Sequence, residues 1–171
     1  MLQEKESCMD KIKTGLAAFG MSGQVFHAPF ISTNPHFELT AITERSKELS
    51  KMKYPQSRIV RSFEELIGME ELELVVVNTP DSSHYEYARR ALEAGKHVIV
   101  EKPLAPTAAQ TEELVNLARH KKVFLFEAIT TQYLENYAKI RELLPRIGTV
   151  KLVQCNFSQY SSRYDAFCAG E

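Results

Sequence analysis

The chain has 171 residues, with 21 Lys and Arg against 22 Asp and Glu and a formal net charge of -1. At 44% hydrophobic and 25% charged it is an ordinary globular composition, long enough for one full domain and part of another, which sets aside disorder and fibrous repeats. Neither sign of charge is concentrated in one block, so there is no footprint for nucleic acid or anionic lipid, and a small neutral or anionic ligand fits better.

From Ile12 onward short apolar runs alternate with amphipathic ones. Strands are expected at Ile12–Phe19, Phe37–Thr43, Arg58–Val60, Leu72–Asn78, Lys96–Val100 and Val123–Phe126. Leu74–Val77 and Val123–Phe126 are continuously apolar, the pattern of parallel strands covered by helices on both faces. Between them, Ser62–Glu65 and Thr107–Gln110 have capping-box spacing. Asp81 is the expected N-cap of a helix that stops at Gly95. Strands joined by helical crossovers over residues 12–127 predict an α/β fold with a doubly wound parallel sheet. The period then changes: a helix over Tyr133–Leu144 leads to a strand with Val153, Cys155 and Phe157 on one face. That one-sided pattern predicts the beginning of an antiparallel sheet, hence an α+β domain over 128–171 after an N-terminal extension at 1–11. The chain ends before any partner strand and reads as truncated.

The residues that carry chemistry gather at strand ends. Ala18-Phe19-Gly20-Met21-Ser22-Gly23 follows the first strand and opens a helix, matching a pyrophosphate-binding turn in which Ala18 replaces the first glycine of G-x-G-x-x-G. Glu44 lies 21 residues after Gly23, near the offset of about 20 at which a carboxylate receives the adenosine ribose hydroxyls of NAD. Its neighbour Arg45 is suited instead to the 2′-phosphate of NADP, so these residues leave the cofactor open, with a lean to NAD. The fourth strand ends in Asn78-Thr79-Pro80, with His84 in the first turn of the next helix. The fifth ends in Glu101-Lys102-Pro103, where an open α/β sheet does its chemistry, and Lys102 is the candidate catalytic group.

Taken together, Ala18–Gly23, Gln24–Pro29, Asn78-Thr79-Pro80 with His84, and Ala94–Pro103 resemble the Gfo/Idh/MocA oxidoreductases over about residues 12–165. The resemblance implies a Rossmann domain that binds NAD or NADP, then an α+β domain carrying the substrate and a homo-oligomer contact. It implies hydride transfer at a hydroxyl or carbonyl carbon of a sugar, inositol or related polyol. Phe19, Gly20, Met21, Ser22 and Gly23 would hold the pyrophosphate, and Glu44 or Arg45 the adenosine ribose. Asn78, Thr79, Pro80 and His84 would border the cleft, with Glu101 and Lys102 at the nicotinamide and Lys102 on the reacting oxygen.

The chain departs from the family pattern in two ways. Besides Ala18, the second-domain Gly-Gly motif and its following aspartate and histidine have no counterpart, since there is no Gly-Gly dipeptide and all five histidines fall at or before His120. A dinucleotide-binding module without turnover is therefore the alternative reading. No metal site is expected, because Cys8, Cys155 and Cys168 have neither CxxC nor metal-ligand spacing. Three unpaired thiols, a polar segment over Met1–Met9 and the lack of a membrane-length apolar run predict a cytoplasmic protein.

Overall fold

The computed structural model of the chain describes residues 10–156, together with 158, 164 and 168. They fall into two compact units, divided after Ile129. The first is built on one six-stranded sheet: β1 (Ile12–Leu16), β2 (Phe37–Thr43), β3 (Arg58–Val60), β4 (Leu74–Val77), β5 (His97–Val100) and β6 (Leu125–Glu127). The order is β3-β2-β1-β4-β5-β6 and every pairing is parallel. The crossovers run outward in both directions from β1 and β4, and the crevice of a doubly wound sheet opens at that reversal.

The pleat explains the core. Val75 and Val77 face a cluster with Phe63, Leu66, Ala88, Leu92 and Leu114, whereas Val76 between them faces Leu16, Phe19, Ile31, Ile42 and Tyr54 on the other side. These valines are 0–1% exposed, so β4 is apolar throughout because both of its faces are core. β6 differs from that expectation. Phe124 and Phe126 are 65% and 49% exposed, and only Val123 and Leu125 join the core. β6 is one of the two edge strands, with one face uncovered.

Among the described residues four α-helices belong to this unit: α1 (Ala28–Thr33), α2 (Phe63–Ile67), α3 (His84–Glu93) and α4 (Ala108–Lys121). The hydroxyls of Ser62 and Thr107 accept from the amides of Glu65 and Gln110 as their spacing predicts. Asp81 is not the cap expected of it. It begins a 3-10 turn, Asp81–Ser83, and α3 starts only at His84. Gly95, at φ +76°, ends α3 in the left-handed region that favours glycine. β1 stops three residues short of expectation, because from Ala17 the chain turns toward the next helix. That helix passes, after Met21 and Ser22, through a π-helical turn, Gly23–His27, and continues as α1.

The second unit contains α5 (Glu135–Leu143), within the expected Tyr133–Leu144 helix. The strand expected around Val153 and Cys155 is absent among the described residues: 151–156 are irregular, and both side chains are exposed. A strand needs a partner to hold its backbone groups, and no described residue supplies one. Phe157 lies outside the described residues.

Candidate active site

A cavity of about 700 Å³ opens at the carboxyl ends of β1, β2 and β4. Its wall includes Phe19 and Gly20 from the first turn, Glu44 and Arg45 after β2, and Thr79 and Pro80 after β4. Met21, Ser22, Gly23, Asn78, His84, Glu101 and Lys102 are not on this wall; Met21 is an exposed side chain, and the others are engaged elsewhere as follows.

The turn is held by Asn78. Its Oδ1 accepts from the Ala18 amide at 3.0 Å and its Nδ2 donates to the Ala18 carbonyl at 2.8 Å, so the end of β4 braces the end of β1. Asn78 thus shapes the turn with both polar atoms of its side chain. Ala18 is not among the residues at positive φ, and alanine fits in place of glycine. A Cβ on Gly23 would lie 2.5 Å from the Ala18 carbonyl oxygen and 2.9 Å from Asn78 Nδ2, whereas one on Gly20 would meet nothing within 4 Å. Gly23 is therefore required for the close approach of helix and strand, and Gly20 leaves open room at the cavity wall, the division of labour of the last two glycines in this motif.

At the β2 end the expected ribose carboxylate, Glu44, is engaged within the chain. Glu44 is buried, its Oε2 accepting from the Leu49 amide at 2.8 Å and its Oε1 from the Ser50 amide and hydroxyl at 2.9 and 2.5 Å. Both oxygens thus anchor the loop between β2 and β3. Arg61 is drawn into the same loop, donating to the carbonyls of Glu44 and Lys47 and to Glu48. Arg45 and Lys47 remain on the cavity wall, exposed and without an ion-pair partner among the described residues. Thr43, missed in the sequence, is 7% exposed, and its Oγ1 is the one buried side-chain polar atom without a hydrogen-bond partner among the described residues. An orphan hydroxyl, open space over Gly20 and unpaired cations fit a polar, phosphate-bearing ligand.

His84, expected to border the cleft, is buried. It has no exposure, and its ring nitrogens sit 2.7 Å from the Pro103 carbonyl and 2.8 Å from the Thr79 carbonyl, so it links the loops after β4 and β5. The second of these loops carries Lys102, which is exposed, and Leu104, whose amide donates to Glu127 at 2.8 Å. Glu101 is partly buried. Its Oε1 accepts from Ser22 Oγ at 3.0 Å and lies 2.8 Å from His27 Nε2, while its Oε2 receives the Lys102 amide at 3.2 Å. Burial alone would raise this carboxyl, but the hydrogen bonds from His27 and Ser22 outweigh it and hold the group below the usual carboxylate range. No cluster of three metal-ligating side chains occurs among the described residues.

A glycine turn between the first strand and helix of a doubly wound parallel sheet, opening on a cavity at the strand ends, defines a Rossmann dinucleotide-binding domain. Residues 12–129 match the family model described as an oxidoreductase family with an NAD-binding Rossmann fold, and the chain belongs to that Gfo/Idh/MocA family of NAD(P)-dependent oxidoreductases. It is 30% identical over 160 residues to the Bacillus subtilis scyllo-inositol 2-dehydrogenase (NADP(+)) IolW, covering 92% of this chain and 45% of that protein. It is 46% identical over 91 residues to D-xylose 1-dehydrogenase (NADP(+)) of Hypocrea jecorina, covering 52% and 23%. A crystal structure of a Bacteroides fragilis oxidoreductase of unassigned activity superposes with a TM-score of 0.74 at 59% identity, over 81% of this chain and 43% of that one. The chain thus spans less than half the length of these relatives. Among the described residues no helix is long and apolar enough to cross a membrane.

Proposed function

We propose that this chain is the cofactor-binding part of an NADP-dependent dehydrogenase, exchanging a hydride between nicotinamide and a hydroxyl or carbonyl carbon of a sugar, inositol or related polyol. The observation that carries the cofactor choice is the commitment of Glu44 to Leu49 and Ser50, with Arg45 left facing the cavity. A carboxylate presented there would repel a 2′-phosphate, and a free guanidinium can pair with it bidentately. The names of IolW and the xylose dehydrogenase, both NADP(+) enzymes acting on polyhydroxy compounds, support this choice and the substrate class.

In this reading Gly20 and the amides of the following turn receive the pyrophosphate, Arg45 and Lys47 the 2′-phosphate, and the Thr43 hydroxyl a polar group of the adenosine half. The chemistry the bound dinucleotide supplies is hydride exchange at its nicotinamide. Lys102 hydrogen-bonds the reacting oxygen and stabilises the negative charge that develops on it. The reading also includes the division into a Rossmann domain at 12–127 and the start of a substrate domain at 128–171, self-association through that second domain, and a cytoplasmic location consistent with the exposed free thiols of Cys155 and Cys168. The test is turnover of NADP against a panel of polyols and sugars by the protein carrying this chain. Loss of rate in Lys102→Ala with cofactor binding retained supports the assignment. An active preparation whose rate Lys102→Ala leaves unchanged overturns it.

A further inference from the structure

His27 lies outside the residues that the turn motif and the strand ends single out, yet with Ser22 it is placed on one carboxylate. In an α-helix, residues five apart point about 140° away from each other around the axis. The Gly23–His27 segment is a π-helical turn, closed by the Ala28 amide donating to the Gly23 carbonyl, and its extra residue per turn swings His27 round toward the face of Ser22. Both side chains consequently reach the same oxygen, Glu101 Oε1, at 2.8 and 3.0 Å. Pro29 supplies a cause in the sequence: in a continuous α-helix its ring would clash with the Val25 carbonyl, and the widened turn lies directly ahead of it. The His27–Glu101 pair is sheltered, at 13% and 19% side-chain exposure, so water screens it less than a surface pair.

We propose that His27, aligned with Ser22 by the π-turn, is a positioning residue that holds the Glu101 carboxylate against the Lys102 backbone, tying the phosphate-binding turn to the loop that presents the lysine. The link runs from Ser22 in the turn, through Glu101, to the Lys102 amide. Pyrophosphate seated on the turn thereby reaches Lys102 through side chains already in contact. His27 does not touch the reacting atoms in this account. Its effect on turnover rests on the assignment of Lys102 above, but its effect on Glu101 does not.

The experiment therefore reads both levels. In the 171-residue chain, the Glu101 carboxyl is followed by ¹³C NMR titration and the Lys102 amide by its ¹H–¹⁵N shift, in wild type, His27→Ala, His27→Gln and Ser22→Ala. The proposal expects the Glu101 midpoint to rise and the Lys102 amide signal to move in His27→Ala, with the amide signal recovered in His27→Gln, whose side-chain amide can donate in place of the ring. Ser22→Ala gives a smaller change in the same direction and keeps the test open if His27→Ala fails to fold. In the protein carrying the chain, kcat falls about tenfold in His27→Ala while the KM for NADP stays within twofold, as misplacement of a reacting group requires. Unchanged Glu101 and Lys102 signals in all three variants overturn the proposal. So does an equal loss of cofactor affinity and kcat, which would make His27 merely structural. Absence of NADP turnover in the wild type would count against the proposed function while leaving the NMR result to decide the role of His27.

Discussion

Replacing Gly23 with alanine probes the close approach on which the cofactor turn depends. The new methyl carbon would sit 2.5 Å from the Ala18 carbonyl oxygen, so the oxygen must retreat by roughly 0.9 Å to reach the 3.4 Å at which ordinary contact begins. The Asn78 amide, 2.9 Å from the same carbon, must give way as well. These two groups are bonded to each other, so the shift breaks or stretches both hydrogen bonds between Asn78 and Ala18. Two such bonds contribute about 1 kcal/mol each. Overpacking adds about 1–3 kcal/mol, and the better helix propensity of alanine returns at most about 1 kcal/mol. The net loss is about 2–4 kcal/mol, a fall in Tm of roughly 6–16 °C for a domain of this size. Gly20→Ala is the control: its methyl meets nothing, so Tm stays within about 2 °C of wild type, whereas NADP affinity falls about tenfold as the methyl enters space meant for the pyrophosphate. Differential scanning fluorimetry with and without NADP separates the two effects. A Gly23→Ala protein that melts with the wild type would refute the packing argument.

Arg45→Ala should weaken NADP about 10- to 100-fold and leave NAD within about twofold, the loss of one or two charged hydrogen bonds to phosphate; equal losses for both cofactors in a fluorescence titration would contradict the assignment. Glu101→Gln tests linkage. The Glu101 carboxyl lies below its ordinary range when folded, so its stabilising effect is present above the unfolded carboxylate pKa near 4.3 and is lost as pH falls through the lower folded value. The melting temperatures of wild type and Glu101→Gln should therefore differ at pH 7 and converge in acid, and a gap that widens in acid would show the sign to be wrong.

Much of the first unit is legible in the residues, and the exceptions have physical causes. Leu74–Val77 announces a strand with two covered faces, but Val123–Phe126 reads alike and turns out to be an edge, since an apolar run does not say whether anything packs on it. The glycine turn is visible as a motif, and its brace, Asn78, is visible only as a strand-end residue, because the contact spans 60 positions. Glu44 sits at the ribose offset, yet its partners, five and six residues later, belong to no recognised motif and draw it away. His84 has a conspicuous sequence position, but only packing reveals that it is enclosed between two loops. The π-turn is foreshadowed by Pro29 alone, which by itself signals no more than the start of a helix.

The central claim is that the crevice at the ends of β1 and β2 binds NADP in preference to NAD. A thermal-shift titration of the chain with the two cofactors in parallel tests it most directly, since a ligand at 100 times its Kd stabilises the folded state by about 2.7 kcal/mol. The account predicts that NADP raises Tm at lower concentration than NAD. A transition moved by NAD alone, or by neither cofactor, would contradict it.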